Sequence, residues 1–453
     1  MRKARKLGAM MLSLVLLAGS LTACGKAETK DSGANATTPT KAADAGSTEA
    51  TKAPETTPEA KAITLKVWGP QEEQTSYEGY GESLLAFMCE RFAEAHPEWD
   101  ITFTYGAVSE ADAKAELTKD ATAGADVFMF ASDQTSFLVE NGILAPITIG
   151  AEEVIAANGG AGAGSISAAT FDNFLYAVPF TPNSWFMYYD KSKYTEDEVK
   201  SLDTMMAKDL GEDAYNFAFD IDNGWYNAAF FFAAGCSLFG ADGQNATEFT
   251  FNNENGLAVG NYLVDLVTNK KFLEETDNGA NAINAFTEGK LGAWCSGTWN
   301  AENVKNALGD NYAATKLPTI NINGVDSQMK SFADYKYIGV NMNTNPEAME
   351  AAQALAVYLG GEECQKDRFI ARSIAPTVSS LVNDPEVASN VAVAALSLQS
   401  AHTQFQSTIS QMANYWTPAQ GFGAGIYNGE ITKDNMQAQL DAFVANVLTA
   451  LTN

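Results

Sequence analysis

The chain has 453 residues and carries 28 Lys and Arg against 56 Asp and Glu, a net charge of −28. A surface that acidic repels nucleic acid and anionic lipid and disfavours phosphate-rich ligands. With only two histidines, His96 and His402, and no Cys/His cluster, the composition also argues against a catalytic zinc site.

The first segment reads as an export address. Arg2, Lys3, Arg5 and Lys6 precede a mostly apolar run from Leu7 to Ala18, which Leu21-Thr22-Ala23-Cys24 closes. That is the order of a charged n-region, a short h-region and a small-residue cleavage site. The run is too short for a comfortable membrane span. The tetrapeptide resembles the bacterial lipobox, whose cysteine is lipidated and becomes the mature N-terminus. The alternative is an ordinary secretory peptide with an incidental cysteine. Residues 1–23 are therefore expected to be a lipoprotein signal peptide, with Cys24 as the only attachment to the membrane. Between Gly25 and Ala62 there is no Val, Ile, Leu, Met, Phe, Tyr or Trp. Such a segment has nothing to bury and cannot offset the entropy of ordering, so residues 24–62 are expected to form a disordered spacer.

The body, from Ile63 to Asn453, holds every Trp, Phe and Tyr of the chain. It is large for one core and suggests two lobes. Ile63–Trp68 alternates as a strand. Leu84, Leu85, Met88, Phe92 and Ala95 recur at helical spacing within Tyr80–His96, which Pro97 ends. Asp100–Tyr105 is a second strand, Glu110–Ala123 a helix and Ala125–Phe130 a buried strand. The β-α-β-α-β order points to a mainly parallel α/β sheet. Trp185–Tyr189 is strongly β-prone, and helices are predicted over 255–269, 346–360 and 435–451. Cys89, Cys236, Cys295 and Cys364 are widely spaced, so two disulfides or four small buried thiols are both open. Gly159–Gly164 is glycine-rich but lacks the Lys-Ser/Thr of a phosphate loop and reads as a surface loop. Asp220–Gly224 suggests a calcium loop but is too short for EF-hand spacing. No metal and no cofactor are expected.

Several segments carry a family resemblance. Ala123-Gly124-Ala125-Asp126-Val127-Phe128, then Asp133 and Leu138–Pro146, form one. Tyr176–Pro179 with Tyr188–Lys191 forms another, and Ala285–Trp299 a third; Leu317-Pro318 and Gln411–Trp416 complete the pattern. Together these resemble extracellular solute-binding protein family 1, and within it the maltose and maltodextrin-binding lipoproteins of ABC importers.

The resemblance implies a two-lobed, periplasmic-binding-protein-like fold of type II. Its discontinuous α/β lobes would comprise 63–181 plus 337–380 and 184–333 plus 384–453. Hinge strands near Thr181–Ser184 and Phe332–Tyr337, with a third crossing near Ser380, would join them. A ligand would lie between the lobes and be delivered to permease subunits, the protein acting as a monomer. By matching positions, Trp225, Trp299 and Trp416 would stack on sugar rings, and Phe130 would stand where a tryptophan is usual. Glu72, Gln74, Asp133 and Asn183 would bond hydroxyls. Amides at Asn183, Asn223 and Gln134 replace charged residues of the maltose pattern, which leaves a neutral oligosaccharide as the implied ligand. A maltodextrin-type α-glucan and a non-glucan oligosaccharide both remain open. A glycoside hydrolase is the reading from a different class, resting on two suitably spaced carboxylates.

Overall fold

A computed structural model describes residues 60–449 except 242 and 276–278. The expected signal peptide, Cys24 and nearly all of the expected spacer lie outside the described residues. Two sheets organise the body. The first contains β1 (Lys61–Gly69), β2 (Trp99–Ala107), β3 (Val127–Ala131), β4 (Val178–Asn183), β10 (Ser331–Val340) and β11 (Thr403–Phe405). The second contains β5 (Trp185–Asp190), β6 (Tyr215–Phe219), β7 (Phe272–Glu274), β8 (Leu291–Gly297) and β9 (Tyr312–Thr315). The last residues assigned to the expected 24–62 spacer are instead strand, because Lys61 and Ala62 already pair with Trp99 and Asp100 in the β1–β2 ladder.

In the first sheet the order is β11-β10-β3-β1-β2, with β4 also paired to β10. β1 runs parallel to β2 and β3, as the β-α-β-α-β reading requires, whereas β10 enters antiparallel to β3. The helix Leu84–Ala95 begins where the Ser83 side chain accepts from the Ala86 N–H and buries Leu84, Leu85, Met88, Cys89 and Phe92. The helix expected over 110–123 is shorter, Ala113–Lys119. Glu110 precedes it in a loop and is buried.

The second sheet has the order β9-β5-β8-β6-β7. β5 is buried on both faces and its side chains alternate between two cores. Trp185, Met187 and Tyr189 join a large phenylalanine-rich core, while Phe186 and Tyr188 join a smaller one with Trp294 and Ala392. The first sheet has its own core around Leu65, Phe92, Phe128 and Leu355. All four described cysteines are free and buried, so the disulfide alternative falls. They behave as small apolar residues.

Two strands connect the sheets. β4 runs antiparallel to β10 from Asn183 opposite Asp334 to Val178 opposite Ile338, with a register shift between Lys336 and Tyr337. A single residue, Ser184, then separates β4 from β5. Its hydroxyl donates to the Phe332 carbonyl at 2.7 Å and lies 2.9 Å from the Ser331 hydroxyl. β10 pairs with β3 over its C-terminal half and with β11 over Ser331–Ala333. The segment near Ser380 is helical rather than extended, with Ser379–Val382 forming one turn.

Candidate functional site

A cleft of about 870 Å³ opens beside these connecting strands. One wall comes from the loops after β1, β2 and β3: Gln71, Glu72, Ser109, Glu110, Asp133 and Gln134. The other carries Trp225, Tyr226, Trp294, Trp299 and Trp416. Asn183, Asp334 and Lys336, from the connecting strands, lie between them.

The polar wall is built from the inside out. After β1 the chain makes a short 3-10 turn, Gln71–Gln74, whose successive side chains part company. Glu72 lines the cleft, whereas Glu73 is fully buried beneath it. Arg368 Nε donates to both Glu73 oxygens at 3.0 and 3.1 Å, and Arg372 donates to Oε1 as well. Burial alone would raise the Glu73 pKa. The two guanidiniums outweigh it and hold the carboxyl below its usual range. Gln74 is absent from the cleft wall. Its amide donates to the Gly69 and Gly106 carbonyls at 3.0 and 2.7 Å, clamping β1 to β2.

Phe130 is also away from the cleft. It is fully buried in β3 against Phe128 and Tyr337, and its chain neighbour Ala131 faces the cleft. The alternation of a strand puts adjacent side chains on opposite faces, so a matching position is no guarantee of a matching direction. Gln134 lines the wall with its amide fully committed: Oε1 accepts from the Lys114 N–H, and Nε2 donates to the carbonyls of Glu110 and Ala111.

Asp133 sits half-buried in the Ser132–Gln134 turn. Burial pushes its pKa up to about 6 against the pull of Lys114. Asn183 does face the cleft, and its amide donates to Asp334 Oδ1 at 2.6 Å. Burial, reinforced by Asp133, drives the Asp334 pKa well above the ordinary carboxylate range.

The aromatic wall depends on backbone approach. Trp299 follows Gly297 at the end of β8, and a Cβ on that glycine would sit 1.8 Å from the indole ring. Glycine there lets the ring fold back over the strand end, whose carbonyl accepts from Tyr188 Oη at 2.8 Å. Trp225 lies in the first turn of the helix Gly224–Ala233, where Asn223 accepts from its N–H at 3.0 Å. The rings of Trp225 and Trp299 are 5.8 Å apart and tilted by 37°. Trp416 opens the helix Trp416–Tyr427 and packs on Phe332 and Tyr415. Trp225, Trp299 and Trp416 are half-buried, whereas Trp294, which also touches the cleft, and Trp185 are core residues.

Lys336 spans the two walls. Its ammonium lies 3.1 Å from Glu110 and 5.7 Å from the centroid of Trp299. Among the described residues it is the only basic one on the cleft wall. Neither it nor Asp334, Glu110, Glu275 or Gln406 stood out in the sequence. Asp334 and Lys336 nonetheless fall inside the connecting segment Phe332–Tyr337, and strand periodicity there was the available signal.

Flat, partly exposed indole faces opposite carboxylates and amides suit a ligand with apolar faces and many hydroxyls. Known proteins agree on the family. The description "Bacterial extracellular solute-binding protein" matches residues 88–395. The chain belongs to that family. A galactooligosaccharide-binding protein of Bacillus subtilis is 31% identical over 322 residues, covering 67% of this chain and 73% of that one. A maltooligosaccharide ABC transporter solute-binding lipoprotein of Streptococcus pneumoniae is 28% identical over 282 residues, 59% of this chain. The match spans 64% of that relative, slightly under two thirds of its length. Among solved structures, one determined with acarbose is 39% identical with a TM-score of 0.79, covering 86% of this chain and 99% of that chain. The ligand-free maltodextrin-binding protein MalE1 of L. casei BL23 is 26% identical with a TM-score of 0.72, covering 85% and 99%. The fold is accordingly the two-lobed arrangement of periplasmic binding proteins. Among the described residues no helix is long and apolar enough to cross a membrane.

Proposed function

We propose that this protein is the substrate-binding lipoprotein of an ABC sugar importer, taking a neutral oligosaccharide of the maltodextrin type into its cleft. The observation that carries the reading is the set of three half-buried tryptophans facing carboxylates and amides across one cavity. Trp225 and Trp299 would offer adjoining faces to consecutive rings, with Trp416 as a further platform. Glu72 and Asp133 would accept from hydroxyls, and Asn183 would act through the Asp334 carboxyl that it holds. The relatives described with acarbose and maltodextrin support an α-glucan, and the galactooligosaccharide-binding relative supplies the competing sugar class.

In this reading the lobes comprise 63–181 plus 337–380 and 184–333 plus 384–453. They close by bending at Ser184 and within β10. The protein works as a monomer, presents the closed form to the permease subunits and releases its sugar unaltered. Cys24 carries the lipid that holds it on the outer face of the cell membrane.

Titration with maltotriose, longer α-glucans, xylo-oligosaccharides and galacto-oligosaccharides, read by tryptophan fluorescence, tests the ligand class. Maltodextrins should bind most tightly and be recovered at full length. Tighter binding of a galacto-oligosaccharide would replace the glucan assignment, and shortened products would restore the hydrolase alternative. Cys24→Ala should move the protein from the membrane fraction to the medium or leave it as an uncleaved precursor. A mature, membrane-held variant would defeat the anchor.

A further inference from the structure

The carboxyl ends of two neighbouring parallel strands converge on a group of acids outside the stacking platform. β6 ends at Phe219 opposite Glu274, the last residue of β7. Asp220 and Asp222 lie just after β6, on either side of Ile221, in the loop leading to Asn223 and the helix that carries Trp225. One carboxylate oxygen from each of Asp220, Asp222 and Glu274 lies within 4.8 Å of the other two.

When ionised, the three carboxylates have no basic partner to offset them. Among the described residues no Lys, Arg or His forms an ion pair with any of the three. Glu274 is only 6% exposed. Its Oε1 accepts from the Ile221 N–H at 3.0 Å, but its Oε2 is buried without a hydrogen-bond partner. Asp220 Oδ1 is buried and unpartnered too, while Oδ2 takes a 3.3 Å bond from Asn223. Buried carboxylate oxygens are normally satisfied, and an orphan pair at one point calls for a ligand that supplies positive charge. We propose that Asp220, Asp222 and Glu274 bind a divalent cation, with Ca²⁺ as the ion their chemistry fits.

Three carboxylates and no nitrogen or sulfur donor make a hard, all-oxygen site. Two of its ligands lie in a loop only half-buried, so waters can complete the shell of a large ion. Mg²⁺ demands near-ideal octahedral geometry, which a strand end and a flexible turn are poorly placed to supply. The spacing falls short of an EF-hand because the third ligand comes from a separate strand. Asp220 also lines the cleft, so the ion would brace the loop that presents Asn223 and Trp225.

The test needs no sugar, so its failure leaves the oligosaccharide reading untouched. Full-length protein stripped with EDTA is titrated with CaCl₂ by calorimetry and melted with and without 5 mM Ca²⁺. One ion per chain should bind, with Kd on the order of 10⁻³ M or tighter. Tm should rise by about 2–4 °C, and Mg²⁺ should do less. Glu274→Gln should abolish both effects. Asp222→Asn, at a half-exposed loop position, should weaken binding at least tenfold and serves if Glu274→Gln does not fold. Absence of heat and of any Tm change in folded wild-type protein would overturn the site and leave the three acids sharing protons. Ca²⁺ binding unaltered in Asp222→Asn would also overturn it.

Discussion

The two walls of the cleft are made by opposite means. The polar wall is a set of short loops held from behind by charge, with Glu73 gripped by Arg368 and Arg372 directly beneath Glu72. The aromatic wall is held by packing, its tryptophans resting on a core that includes Phe219, Phe230 and Tyr415. Hydrogen-bonding groups must be aimed, and a buried ion network aims a loop by fixing its backbone. Stacking faces need area and support, which a hydrophobic core supplies. The difference separates the expected consequences of mutation: damage behind the polar wall should appear in stability, and damage to the aromatic wall in affinity.

The largest effect should come from Glu73. Glu73→Gln removes the charge that two buried guanidiniums require, and loss of one partner in such a network costs about 3–5 kcal/mol of folding stability. Denaturant unfolding checks this, and an unaltered midpoint would break the contrast between the walls. The wild type adds a pH signature. Because the folded-state pKa of Glu73 is depressed, its contribution is fully present above the ordinary value of 4.5. That contribution is lost as pH falls through the lowered value, so the wild type should show an acid destabilisation that the variant lacks.

Next in size is Trp299→Ala. Losing one stacking face should cost about 1–3 kcal/mol of binding, or roughly 5- to 150-fold in affinity for the bound oligosaccharide. Folding should change little, since the ring is half-exposed. A large fall in Tm with unchanged affinity would reclassify Trp299 as a core residue.

Asp133 should give a smaller, graded effect. With its pKa near 6, the hydroxyl-accepting carboxylate is lost as pH falls through that value. Affinity should drop up to about tenfold between pH 7 and 5, and Asp133→Asn should flatten the profile. For folding the sign is reversed: the folded state holds this proton more tightly, so the group costs stability as pH rises from about 3.8 to 6. Smallest of all, Gln74→Ala should cost about 1 kcal/mol of stability through the β1–β2 clamp while leaving affinity unchanged.

Much of this was legible in the sequence where the signal was local. The β-α-β-α-β run declared a parallel sheet through its hydrophobic periods, and the region Ala285–Trp299 declared Trp299. Direction was not legible. Glu72 and Gln74 are two residues apart in one turn, yet one faces the cleft and the other clamps a ladder. Phe130 shares its strand with Ala131, and only the placement of β10 on β3 tells which of them meets the core.

Sequence by itself determined the export-like grammar around Cys24, the low-complexity composition of residues 25–62, the acidic charge and the aromatic stock of the body. These depend on composition and short-range period, which no fold can alter. Tertiary structure alone decided which acids matter. Arg368 and Arg372 reach Glu73 from 295 and 299 residues away, Asn183 reaches Asp334 from 151, and Ile221 reaches Glu274 from 53. Electrostatic free energy falls with distance and rises with burial, and neither quantity exists along an unfolded chain. A carboxylate becomes a strut, a hydroxyl acceptor or a cation ligand only once folding has chosen its neighbours.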